Sequence, residues 1–263
     1  MATLLATFSP ATASVRLTIA GSSWSTVPAY VTATRHVPGG AAELVRGVVE
    51  KQIVAGYLVA VDHEMPLASS VTYTVTGYSA AGAVVDTAVA TVSTSGSPVG
   101  LWVKAPGRPD LSVLTQLTTA PSLASATIGG VYQVIGGEAV AVGQWGGLAA
   151  RSGTLTVRTS KGAETAALGA LLDVARIVLL QPSSDSDLKP GWYFIGSATP
   201  SNPGGFADFS FRLWQLDVHQ VSAPAGQQGG STWTWDSLVG TYATWDAVKA
   251  AYASWFAVEQ GPA

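Results

Sequence analysis

The chain contains no cysteine. That excludes disulfides, thiolate nucleophiles and cysteine-based metal sites, and it suits synthesis in a reducing cytosol. Charge is the next scarcity. Asp, Glu, Lys and Arg together make up 11% of the residues, against a usual share of about a quarter. A surface so poor in charge is what a chain shows when it covers that surface against other subunits. The net charge is -3, and Lys and Arg are scattered, so no basic patch or run is on offer to nucleic acid. Long hydrophobic runs are missing as well. The densest apolar stretch, residues 174–180, is far too short to span a bilayer. Residues 1–8 lack the charged start and apolar core of a signal peptide. The expectation is a chain with no membrane span and no nucleic-acid partner.

What remains is apolar and rich in turn formers. Apolar residues reach 48%, with 29 Gly and 14 Pro, and Thr, Val, Ala and Ser dominate the rest. This is the composition of tightly packed β-structure with many turns. A length of 263 residues allows one large or two ordinary domains, each with its own core.

Residues 1–98 alternate with period 2. Val15, Leu17 and Ile19 alternate with Arg16 and Thr18, and Val71, Tyr73 and Val75 alternate with Thr72, Thr74 and Thr76. Gly and Pro punctuate these runs at 37–40, 80–82 and 95–98. Short strands with regular turn signals predict a β-sandwich. Leu67, then Tyr73 entering an alternating strand, then a turn at Ala80-Ala81-Gly82, resembles the tyrosine-corner strand and following hairpin of a fibronectin type III domain. In such a corner the Tyr73 hydroxyl bonds back to the loop backbone. Asp62-His63-Glu64 cannot converge on one ion, because neighbouring strand residues point to opposite faces. Asp62 and Glu64 share a face only if the stretch is extended, and the expected state is a solvated loop before Pro66.

In the middle of the chain, residues 99–110 are expected to be a linker, with two Pro and one Gly between Lys104 and Asp110. The pairs Gly129-Gly130, Gly136-Gly137 and Gly146-Gly147 begin no phosphate-binding pattern; they are expected as turns between short strands such as 131–135 and 139–142. Residues 153–159 form a predicted strand. Residues 163–173 form a predicted helix, with Leu168, Leu171 and Leu172 at i, i+3, i+4, and residues 176–181 a buried strand stopped by Pro182. Further strands are expected at 191–196 and 209–218. In the last, Phe209, Phe211 and Leu213 share one phase and Trp214, Leu216 and Val218 the other, which suggests a bulge at Leu213-Trp214 or a strand buried on different faces along its length.

Two sets of motifs resemble one family. Val45-Arg46-Gly47, then Asp62-His63-Glu64-Met65-Pro66-Leu67, then Val71-Thr72-Tyr73, are similar to the N-terminal part of minor tail proteins of actinobacterium-infecting tailed phages with siphophage-type tails. Those proteins carry an Arg-Gly step, an Asp-x-Glu-x-Pro turn and a Val-Thr-Tyr strand in that order. Arg151-Ser152-Gly153, the helix with Glu164, Ile177 to Pro182, Trp192 to Gly196 and Phe211 to Val218 are similar to the second half of the same proteins. They also resemble the β-sandwich-plus-helix unit of phage tail-tube, distal-tail and hub proteins. The likeness runs from about Val45 to Val221. It departs where relatives carry an Arg-rich run, reduced here to Arg151 and Arg158.

No catalytic constellation is visible. His36, His63 and His219 lie in unlike contexts, and no G-x-S-x-G elbow or H-E-x-x-H helix occurs. No cofactor site is expected. Asp185 and Asp187 are two carboxylates suited to Ca²⁺, but the further ligands and fixed Gly of an EF-hand loop are absent, and the stretch reads as an exposed loop.

The C-terminal end repeats. Trp235, Trp245 and Trp255 are ten residues apart, as are Tyr242 and Tyr252. Thr234, Thr244 and Ser254 precede the spaced Trp, and Asp236 and Asp246 follow the first two. Thr or Ser before the Trp is a helix N-cap, and Asp in the first turn suits the dipole. Ten residues of one continuous helix would leave each Trp about 80° from the last. Short helices broken near Gly240 and Ala253 are therefore expected. Helices that short must dock on something, either the chain itself or a neighbour. Trp233, Trp235, Tyr242, Trp245, Tyr252 and Trp255 are the expected docking aromatics.

The expected fold is mainly β. A fibronectin type III-like sandwich (1–98) and a linker (99–110) are followed by a tail-protein-like β-sandwich with one packed helix (111–222). A flexible linker (223–232) and a helical Trp-rich extension (233–263) complete the chain. The resemblance implies a non-enzymatic virion protein, made in the host bacterial cytoplasm and located at the tail tip or baseplate. It implies copies of itself, as trimer or hexamer, and tube, distal-tail or hub proteins as partners, with host attachment as a further role. The alternatives are a cell-wall carbohydrate-binding protein, or a hydrolase with a dispersed carboxylate site.

Overall fold

A computed structural model describes residues 2–53, 57–105, 108–119, 121–133, 141–160, 162–183, 188–203, 210–224, 242 and 244–251, with the backbone alone at 127–133, 141–147 and 251. The protein is mainly β, with antiparallel sheets. It forms two compact units. The first holds residues 1–97, 106–110 and 225–263, and the second holds 98–105 and 111–224.

In the first unit, β1 (Leu4–Ser9), β2 (Ser14–Ile19) and β6 (Leu58–Asp62) make one sheet in the order β1-β2-β6. The other sheet runs β4-β3-β7-β8, from β3 (Tyr30–His36), β4 (Glu43–Leu44), β7 (Ser70–Tyr78) and β8 (Val84–Ser93), with β5 (Lys51–Gln52) also paired to β3. This three-plus-five arrangement has β-sandwich character. Strand alternation decides its core. Val15, Leu17 and Ile19 of β2, Leu58 of β6, Val31 and Ala33 of β3, and Val71 and Val75 of β7 are all buried. Each large aliphatic side chain contributes about 1.5–3 kcal/mol by burial. Gly77 of β7 is there for close approach: a Cβ would stand 2.9 Å from Pro28 Cβ and 3.2 Å from the Trp24 ring.

The opposite phase of β3, β7 and β8 faces outward and is mostly threonine, with His36 and Val89 among it. The register puts Thr32, Thr76 and Thr87 in one row, Thr34, Thr74 and Val89 in the next, and His36, Thr72 and Thr91 beyond them.

The second unit contains β9 (Leu101–Ala105), β10 (Arg108–Leu117, in this unit from Leu111), β11 (Ser122–Ala124) and β14 (Ser152–Ser160). It continues with β15 (Ile177–Pro182), β16 (Gly191–Ser201) and β17 (Phe211–Val221). The sheet order is β10-β9-β15-β16-β17-β14-β11, and β10 also pairs β14 through Gln116 with Arg158 and Leu117 with Val157. In place of the expected sandwich, one sheet curls until β10 meets β14. Its interior holds Val103, Leu155, Val157, Val178, Leu180, Tyr193, Ile195, Trp214, Leu216 and Val218. Helix α1 (Ala163–Val174) adds Leu168, Leu171 and Leu172 to the same cluster, the side chains that the i, i+3, i+4 spacing marks.

Three expectations are corrected here. Residues 99–110 are not simply a linker, because they contain β9, buried at all five positions, and the start of β10. Burial on both faces removes the alternation by which a strand is recognised. Gly129-Gly130 and Gly146-Gly147 are not turns. They lie inside β12 (Thr127–Gln133) and β13 (Ala141–Leu148), which pair with each other. Of the two readings of Leu213-Trp214, the bulge is overturned: it falls on β16 between Ile195 and Ser197, while β14 and β17 stay in register through Leu213 and Trp214, and regular inward burial begins at Trp214.

Candidate functional site

The densest chemistry among the described residues lies in the first unit, where five charged side chains and a tyrosine meet. β3 carries Val31, Ala33 and Arg35 on its inward phase, and β6 carries Leu58, Ala60 and Asp62 on its own. Two opposite charges thereby enter one core, with Arg35 7% and Asp62 2% exposed. Either ion alone would carry a desolvation penalty of several kcal/mol, so partners decide whether the arrangement holds.

Those partners are complete for Asp62. Its Oδ1 accepts from Arg35 Nη1 at 2.9 Å and from the Glu64 backbone N–H at 2.8 Å. Its Oδ2 accepts from Arg35 Nη1 at 3.2 Å and from the Tyr73 hydroxyl at 2.9 Å. The rest of the Arg35 fork reaches Glu43, with Nε at 3.0 Å and Nη2 at 2.8 Å. Arg35 Nη2 also lies 3.7 Å from Glu64 Oε2. Arg46 closes the cluster with a bond from its Nε to Glu64 Oε1. Arg46 is aimed by a tight turn: the Val48 N–H bonds Val45 C=O at 3.0 Å, and Gly47 takes φ 82. A positive φ at the third position of such a turn favours glycine.

Electrostatics reinforces the geometry. Burial pulls the Arg35 pKa down, but Asp62, Glu43 and Glu64 more than offset this and raise it above the ordinary value. Burial, and then the Asp62 charge and hydrogen bond, push the Tyr73 hydroxyl well above its ordinary value of 10.0. Tyr73 therefore stays a donor at any neutral pH. The Asp62 oxygens are taken up by protein donors, which is the pattern of a structural clasp.

Two expectations change. Asp62-His63-Glu64 is not a solvated loop: Asp62 is buried, and the Glu64 side chain is 8% exposed. Tyr73 does not bond the loop backbone directly. It bonds the Asp62 carboxylate, which in turn holds the Glu64 N–H. The missed signal was phase. Arg35 and Asp62 each continue the inward period of an apolar strand, and two opposite charges in that position call for one another.

Replacing Tyr73 by Phe leaves one lobe of a buried carboxylate short of a donor. The expected loss is about 1–3 kcal/mol, read from urea unfolding of the full chain. A raised Tyr pKa contributes stability that is present below the unfolded value of 10.0 and is lost as pH rises beyond it. The difference between wild type and Tyr73→Phe should therefore shrink above about pH 10. An unchanged difference there would remove Tyr73 from the cluster's energetics.

Of the expected docking aromatics, Tyr242 and Trp245 are described; Trp233, Trp235, Tyr252 and Trp255 lie outside the described residues, as do Asp185 and Asp187. Helix α2 (Trp245–Ala251) starts where the repeat places it. Thr244 caps it, its Oγ1 accepting from the Ala247 N–H at 3.3 Å, and Asp246 pairs with Lys249 at 3.5 Å. Val248 is buried, and Trp245 is 52% exposed. Among the described residues, no group of His, Asp and Glu is arranged to hold a metal ion, and no helix is long and apolar enough to cross a membrane.

Compared with protein families and with curated proteins, the chain matches no family model and no curated sequence.

Proposed function

We propose that the chain is a virion structural protein, a minor tail protein that assembles at the tail tip or baseplate of a siphophage-type tail. One observation carries the reading. Arg46 of the Arg-Gly step, Asp62 and Glu64 of the Asp-x-Glu-x-Pro turn and Tyr73 of the Val-Thr-Tyr strand form one buried cluster. These are three separate motifs on which the family likeness rests. Motifs held by one set of bonds form a single unit of fold, which weighs against three independent chance matches.

The mechanism is assembly. Faces poor in charge come together at low desolvation cost, and exposed aromatics anchor them. Trp245 suits that role: Val248 is buried beneath the same short helix, while Trp245 keeps half of its surface exposed. The partners are other copies of the chain and neighbouring tube, distal-tail or hub proteins. Attachment to the host surface is a further role.

Light scattering of the full chain should give a multi-copy species, with trimer or hexamer as the expected states. Trp245→Ala should shift it toward smaller species, by an affinity loss of about 30-fold, with an unchanged circular dichroism spectrum. A strict monomer at the highest soluble concentration would refute the assembly role.

A further inference from the structure

We propose that the β12–β13 hairpin pairs edge to edge with the same hairpin of a second copy of the chain. This gives the assembly reading a named contact and rests on it. The two strands form a sheet of their own. Residues 129–133 pair with residues 145–141 without interruption, the register shift falls at the base between Thr127 and Gly129, and the Ala149 N–H bonds the Ala126 C=O at 2.8 Å. Among the described residues no third strand joins either edge, and no other strand or helix packs along the hairpin. Leu148, at its base, is 72% exposed. A two-stranded hairpin by itself is marginally stable in water. Each outer edge carries a row of N–H and C=O groups that a further strand would satisfy.

The backbone selects the kind of partner, and the sequence does not oppose it. Only an extended chain presents N–H and C=O groups at the spacing of an open edge. Edges are commonly blunted by charge, by Pro or by shortness. Several other edges of this chain are closed off: Lys51 Nζ bonds the Val59 C=O on β6 at 3.3 Å, β4 is two residues long, and β10 returns to β14. The strands of the hairpin contain no Pro and no charged residue, and Glu138 is the one formal charge between Asp110 and Arg151. Copies therefore approach one another without like-charge repulsion.

The hairpin is also complementary to itself. Its two edges run in opposite directions, so β13 of one copy meets β12 of the next antiparallel and continues the alternation. A foreign strand would fill one edge and leave the other open. A second copy fills one edge and presents the next, a head-to-tail contact that closes into a ring or extends as a filament.

A chain without cysteine lets introduced thiols report alone. Opposed residues of antiparallel strands stand about 4.5–5.5 Å apart, within disulfide reach. Val142→Cys is mixed in dilute solution with Gly129→Cys, Gly130→Cys, Val131→Cys, Tyr132→Cys or Gln133→Cys in turn, concentrated and oxidised mildly. At least one mixture should give a covalent dimer on a non-reducing gel that neither variant gives alone. Thr91→Cys, on β8, mixed with Val142→Cys should give none. The double variant Val131→Lys and Val142→Lys, folded by circular dichroism, should weaken self-association about tenfold in light scattering. The contact is overturned if no mixture cross-links above the Thr91→Cys control, or if single variants cross-link as readily as mixtures. It is overturned as well if the lysine variant keeps the wild-type multi-copy state, a result that leaves the assembly reading intact. A wild-type chain that stays monomeric overturns both.

Discussion

Asp62→Ala should cost the first unit about 3–5 kcal/mol of unfolding free energy, the range for breaking a buried ion pair on one side. The loss is concentrated because one carboxylate holds three elements. It accepts from Arg35 on β3, from Tyr73 on β7 and from the Glu64 N–H that follows β6. Without it, Arg35 stays buried with Glu43 at a solvent-facing position, where the Glu43 side chain is 64% exposed. Tyr73, fully buried, keeps a hydroxyl with no carboxylate to bond. Asp62→Asn keeps the volume and part of the bonding but removes the charge, and should fall between Asp62→Ala and wild type. Replacing both ions together, Arg35→Met with Asp62→Leu, should recover much of the loss, since apolar pairs of similar volume often equal or exceed a buried salt bridge. Urea unfolding of wild type, Arg35→Met, Asp62→Leu and the double variant gives the coupling energy. The transition of the first unit must be followed separately, because a chain of two units need not unfold in one step. A loss below about 1 kcal/mol for Asp62→Ala would match an exposed pair and contradict a buried clasp.

Trp214→Ala should be comparably damaging to the second unit, at about 3–5 kcal/mol. Trp214 sits on β17, 8% exposed, inside the curled sheet. Its Nε1 donates to Thr159 Oγ1 at 3.0 Å, and that hydroxyl lies 2.9 Å from Thr165 Oγ1 on α1. A Cβ at Gly169 of α1 would stand 3.8 Å from the indole edge. One side chain therefore joins β17, β14 and the helix, and truncation opens a cavity where the three meet. Trp214→Phe separates the contributions. It keeps most of the ring but removes the donor, so about 1 kcal/mol of the loss belongs to the hydrogen bond and the larger remainder to packing. If Trp214→Phe proved as costly as Trp214→Ala, the indole N–H and not its volume would hold the helix in place.

The candidate site shows where legibility stops. The inward phases of β3 and β6 were not read, but those of β2 and β7 were readable, because alternation is written into adjacent residues. So were the helix at 163–174, from the spacing of Leu168, Leu171 and Leu172, and the cap at Thr244, from its place before Trp245. Tyr73 was readable as an anchor, but its partner was not. Asp62 precedes it by eleven residues in a stretch that looks like a polar loop, and Arg35 lies on a strand of the other sheet.

Pattern within a few residues determined which segments became strands and helices, since propensity, period and capping act over one or two turns or a few pairs. Only the tertiary structure decided which inward charges met, that β10 returned to β14, and that residues 101–105 were a buried strand. Those outcomes depend on sheet order and register, on which residues far apart in the chain are brought side by side and whose desolvation only a partner at hydrogen-bonding distance can offset.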